Sequence, residues 1–166
     1  NGILNWMTYN GSDFATVVSG TVTAYTGYQD LLTATPTSTS VYILTDSGTV
    51  AATTVGYGLK IDPTTAGTLT LSGTLGSVNG KDFSIVFSGA NAYSIVGNAP
   101  IGNGNSAALY ISTVGANALT ISAPLLANGT SGRVVKTGSG TLILSGTNIY
   151  GDGTDVQAGT LARDEG

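Results

Sequence analysis

The chain has 166 residues, 5 basic and 9 acidic side chains for a net charge of −4, no histidine and no cysteine. Those absences exclude His-dependent serine triads, thiol catalysis, disulfide frameworks and thiolate metal sites. The few cations, scattered at Lys60, Lys81, Arg133, Lys136 and Arg163, form no phosphate-binding stripe and speak against nucleic-acid partners.

A hydrophobic content of 41% is too high for a disordered tract, so the 16 serines and 26 threonines are expected to wet the surface of a folded protein. The chain opens on Asn1 with no basic-then-apolar leader, which reads as a mature chain or an excised piece. Residues 1–57 are rich in aromatics and are read as an N-terminal cap with the first coils. Trp6, Tyr9, Phe14, Tyr25 and Tyr28 are expected to cover an open core end and prevent edge-to-edge association. Sugar stacking by these rings is the lesser reading. "TATPTSTS" (33–40) reads as an exposed loop, and the Asn-Gly steps at 10, 79 and 128 as tight turns.

From residue 58 onward the pattern is apolar, polar, apolar. "GTLTLSG" (67–73), "ALYIS" (108–112), "ALTIS" (118–122) and "GTLILSG" (140–146) carry inward pairs Leu69/Leu71, Leu109/Ile111, Leu119/Ile121 and Leu142/Leu144. Leu59/Ile61 and Ile85/Phe87 are looser copies. The spacing of these pairs is uneven, which suits stacked coils with turns of unequal length. No such strand buries its apolar side alone; stacking does it, at roughly 20 to 25 residues per coil. A β-sandwich is the all-β alternative. No apolar stretch approaches the roughly 20 residues of a membrane-spanning helix; "VYIL" (41–44) and "SIVF" (84–87) are among the longest.

Chemistry is sparsely provided. Asp13, Asp30, Asp46, Asp62 and Asp82 are isolated in sequence, although stacking can bring acids together, and sugar cleavage needs two in one cleft. "GDGTDVQ" (151–157) contains one Gly-x-Gly-x-Asp, the core of a calcium β-roll repeat. A single copy reads first as a turn, with Asp152 and Asp155 the metal candidates. No cofactor and no catalytic residue are expected.

"VVKTGSGTLILSGTNIYGDGTDVQAGTL" (134–161) resembles the autotransporter-associated β-strand repeat. Lys136, Gly138, Gly140, Thr141, Leu142, Leu144, Ser145, Gly146, Asn148, Tyr150, Gly153, Thr154, Val156, Gly159 and Leu161 fall on its pattern. Asp152 departs from it, standing where the family has the first of two glycines; aspartate tolerates the left-handed backbone such a turn needs. The resemblance implies a right-handed parallel β-helix of an exported bacterial passenger, extracellular or at the cell surface.

The expectation is therefore one continuous all-β domain: a right-handed parallel β-solenoid at 58–166 behind the aromatic-rich cap. It would act as a non-enzymatic structural or adhesive module whose partners are neighbouring segments of a longer surface protein, other copies of itself, or host or matrix glycans. The alternatives are a filament subunit assembled by strand addition and a polysaccharide-binding or polysaccharide-cleaving β-helix.

Overall fold

The computed structural model describes residues 2–78, 81–102, 108–127 and 132–163. The chain begins with an antiparallel meander of β1 (Leu4–Tyr9), β2 (Asp13–Val18) and β3 (Thr21–Ala24). Asn10 and Gly11 turn it between β1 and β2, with φ of 52° and 77°, and Ser19 and Gly20 between β2 and β3, with φ of 49° and 80°. Consecutive left-handed residues give the turn twist that suits a hairpin, and Asn and Gly enter that region most readily. The other two Asn-Gly steps, at 79 and 128, fall on residues outside those described.

After β4 (Gln29–Asp30) the chain winds, laying strands on three successive sides of a core. The first full coil is β5 (Val41–Leu44), β6 (Gly48–Val50) and β7 (Thr54–Val55). The second is β8 (Gly58–Ile61), β9 (Gly67–Leu71) and β10 (Leu75–Gly76). The third has β11 (Phe83–Phe87), β12 (Tyr93–Gly97) and a single bridging residue, Ile101. The fourth is β13 (Ala108–Thr113), β14 (Leu119–Ile121) and β15 (Leu126–Ala127), and the fifth is β16 (Arg133–Thr137), β17 (Thr141–Leu144) and β18 (Ile149–Tyr150). A sixth turn contributes β19 (Thr154–Val156) and β20 (Thr160–Arg163).

Strands on the same side pair in parallel. The first side is a seven-stranded sheet, β4-β5-β8-β11-β13-β16-β19, and the second a six-stranded one, β6-β9-β12-β14-β17-β20. The third side is short pairings of β7 with β10 and β15 with β18, linked by bridges at Leu75, Ile101 and Leu125. This is a β-solenoid. The parallel pairing rules out the sandwich alternative, whose sheets are antiparallel.

Register makes the core continuous. Tyr42, Leu59, Ile85 and Ile111 stack on the first side. Leu69, Ile95, Ile121 and Leu144 stack on the second, beside Tyr93, Leu119, Leu142 and Leu161. Leu69, Leu71, Leu109, Ile111, Leu119, Ile121, Leu142 and Leu144 are all buried. A coil is 26 residues from Leu59 to Ile85 and from Ile85 to Ile111, 25 from there to Lys136 and 20 on to Val156. The coils are thus more regular than the raw spacing of apolar pairs suggests, because intervals such as 59 to 69 or 109 to 119 join two sides of one coil and not two coils.

The aromatic N-terminal element covers the side of the stack and not its end. Alternation sends Tyr42 and Leu44 into the main core and leaves Val41 on the outer face, as it does Val86 between Ile85 and Phe87. Phe14, buried in β2, packs on Val41 and Val86, with Ile3, Tyr25, Tyr28 and Tyr57 around it. Gly58 makes room for the ring, since a Cβ there would sit 2.7 Å from Phe14 Cζ. The meander goes to this face because the outer surface there is apolar and low enough to accept a second layer. The N-terminal core end is covered instead by Leu31, which is buried against the core with Ala34 beside it. Trp6 and Tyr9 are exposed and stand outside the aromatic cluster.

Candidate functional site

Two buried lysines mark the polar centres of the fold. Lys60 occupies an outward position of β8 yet is buried, because the meander lies over it. Its Nζ is 2.6 Å from Asp13 Oδ1, 3.4 Å from Asp62 Oδ2 and 5.5 Å from the centre of the Tyr28 ring. The Tyr28 hydroxyl donates to Asp13 Oδ1 (3.2 Å) and accepts from the Phe14 amide (3.1 Å), while Ser88 Oγ donates to Asp62 Oδ1 (2.6 Å). Burial, with the Asp13 carboxylate adding to it, pushes the Tyr28 phenol well above its usual range, so it stays a donor.

Stacking has thus brought together two acids that are 49 positions apart, Asp13 and Asp62. A two-carboxylate sugar-cleaving mechanism needs the glycosidic bond between them. Here the Lys60 ammonium stands there, and the group ties β2 to β8 as a clamp. Asp30 serves its own turn, its Oδ1 accepting from the amides of Leu32 (2.8 Å) and Thr33 (3.0 Å), whereas Asp82 Oδ1 accepts from the Ala108 amide of the next coil (3.0 Å).

The second centre lies at the last coil step. Lys136 continues the ladder of Leu59, Ile85 and Ile111, and so points into the core with 0% exposure. Its ammonium donates to three backbone carbonyls, of Thr137 (2.7 Å), Gly138 (2.9 Å) and Ala158 (3.0 Å). Three protons meet three acceptors, which is what a buried ammonium requires. Burial lowers its pKa from the ordinary lysine value.

Around it, Asn148 Oδ1 accepts from the Leu125 amide one coil back (3.0 Å), and the Tyr150 hydroxyl lies 2.8 Å from Thr154 Oγ1. Gly140 and Gly146 are places of close approach between coils; a Cβ on Gly146 would sit 2.5 Å from the Ser122 carbonyl oxygen, and one on Gly140 3.0 Å from the Thr113 carbonyl carbon. Gly153 has open space around it but a φ of 76°, so backbone conformation is what calls for glycine there.

Asp152 and Asp155 are exposed on the last turn of chain, and Asp155 Oδ2 accepts from Gln157 Nε2 (3.0 Å). Among the described residues no three acidic side chains gather as a metal ion would require. Beyond them a groove of about 580 Å³ opens between β18 and β20, lined by Leu144, Asn148, Tyr150, Leu161 and Arg163 among others. It lies where a further third-side strand would pair on β18, whose Ile149 is 53% exposed.

Residues 134–162 match the family model of the Passenger-associated-transport-repeat. This autotransporter-associated repeat runs from within β16 to within β20. It spans one complete coil and the first two sides of the next, so its pattern describes a step between coils. Lys136 belongs to the lower coil of that step, and Gly159 and Leu161 to the upper. No curated protein and no solved structure matches the chain.

Sequence reasoning missed both lysines as structural centres. Lys60 sits in "GLKI", where an outward lysine ordinarily faces water. Lys136 carried a signal, its place 25 residues after Ile111, but that interval has meaning only once strands are assigned to sides.

Proposed function

We propose that this chain is an exported, non-enzymatic structural segment of a bacterial surface protein, in which stacked coils form a stiff rod and hydroxyls face outward. The observation that carries the reading is that a passenger-associated transport repeat forms a step between turns of a continuous parallel stack. Thr68, Ser94 and Thr120 line up outward on the second side, a polar face suited to many shallow contacts with matrix or host glycans. The covered N-terminal end offers only the two-residue β4 for strand addition, which favours a rod built within one protein over a head-to-tail filament.

The test is to insert a second copy of residues 134–153 after Gly153. Thr154 pairs with Val134, so the duplicate continues the first-side ladder. The lengthened chain is expected to unfold in one transition at higher denaturant, with the rod longer by about 4.8 Å. An unchanged midpoint or a separate transition for the new coil overturns the stacking reading, and release of reducing ends from polysaccharides overturns the non-enzymatic one.

A further inference from the structure

We infer that Lys136 and Gly159 form a key and socket that set the register of the last turn upon the coil before it. A parallel ladder slipped by two residues keeps the same side chains facing in, so alternation alone does not forbid the slip. Burial enforces register over most of the stack. On the last step it is weak: Asp155, Val156 and Arg163 are exposed, and Leu161 and Ala162 only half-buried.

The lysine supplies what burial does not. Its ammonium binds Thr137 and Gly138 of its own turn and Ala158 of the turn above. A two-residue slip moves the Ala158 carbonyl by about 6.6 Å along the strand, leaving a buried cation short of one acceptor. Gly159 completes the device. Its φ of 73° matches that of Gly138 below, 72°. A Cβ there would overlap the carbonyl oxygens of Gly138 and Gly140 and stand 2.9 Å from Lys136 Nζ. A slip brings Gln157 or Leu161 into that space, and neither side chain fits.

The ladder position itself is apolar in the preceding coils, at Leu59, Ile85 and Ile111, so lysine here is not required for core packing. A buried polar group that selects one alignment among several is its use.

The native chain has no cysteine, so engineered cross-links read register without background. Ile143 pairs with Ala162 and Thr141 with Thr160. The pair I143C/A162C reports the native register, while I143C/T160C and T141C/A162C report slips in either direction. Under mild oxidation the otherwise native chain is expected to link only the first pair.

With K136M, which keeps an apolar rung of similar length, the slipped pairs are expected to link at least tenfold faster than in the Lys136 background. G159A, which fills the socket with the lysine still present, is expected to slow the native link and raise a slipped one. Exclusive native linking in K136M overturns the inference. So does loss of linking in all three pairs while the other coils keep their protection from amide exchange, since Lys136 would then dock the coil without choosing its register.

Discussion

At its N-terminal end the stack meets a two-residue strand, β4, whose Asp30 folds the chain back through bonds to the Leu32 and Thr33 amides, and Leu31 is pressed into the core. Ser40 Oγ then ties the returning loop to Gln29 Oε1 (2.8 Å). At the C-terminal end, β19 and β20 present an edge with Val156 45% exposed, beside the groove at β18. A short, folded-back edge is how sheets avoid adding strands; the edge of β19 and β20 has no such covering among the described residues. The difference gives the stack a direction, and the clamp on its flank ties the meander to the second coil.

Substitutions can break that comparison. The largest effect is expected at Phe14, which holds the meander on the outer face: Phe14→Ala should cost about 3–5 kcal/mol and expose the amides of β2 and β3 to exchange. Leu161→Ala at the open edge, only partly buried to begin with, should cost about 1 kcal/mol. Urea unfolding of the two variants measures both, and equal losses would mean that the flank layer is held no more tightly than the last turn.

A smaller effect tests the clamp. Asp13→Asn leaves Lys60 buried without its nearest carboxylate and should cost roughly 2–3 kcal/mol. Asp62→Asn removes the longer contact to a side chain 41% exposed, and should stay within about 1 kcal/mol. If the order is reversed in denaturant titrations, the lysine is anchored to the stack and the meander is held by Phe14 alone.

The smallest change is expected to stabilise. Thr113 is fully buried on the inner face beside Phe87 of the coil below, and its Oγ1 has no hydrogen-bond partner. Thr113→Val keeps the shape and removes the orphan hydroxyl, which should add roughly 1 kcal/mol and raise the thermal midpoint. Thr113 lies in the coil just below Lys136, so this variant also sharpens how much the last step relies on polar contacts.

The inward pairs from Leu69/Leu71 to Leu142/Leu144 were legible in the sequence because a strand shows its buried face within three residues. The hairpin turn at Asn10-Gly11 was legible for the same reason: left-handed backbone is a local demand. The destination of the aromatic residues was not. Phe14 and Tyr28 read as an end cap, yet which surface receives them depended on Val41, Gly58 and Val86 lining up on one outer face, a matter of register between three coils. Lys60 and Asp13 are 47 residues apart and carry no spacing that marks them as partners.

By itself the sequence determined the all-β class, the residues that face inward, the absence of His and Cys chemistry, and the repeat at 134–161, since each rests on alternation, composition or a contiguous motif. Only the tertiary structure decided which strands share a side, that coils of 17 to 26 residues underlie the uneven spacing, that the meander seals a flank, and that Lys136 lies in the core against three carbonyls. Those depend on register, and register is settled only when distant strands meet and one alignment buries more apolar surface, or satisfies more buried polar atoms, than its neighbours.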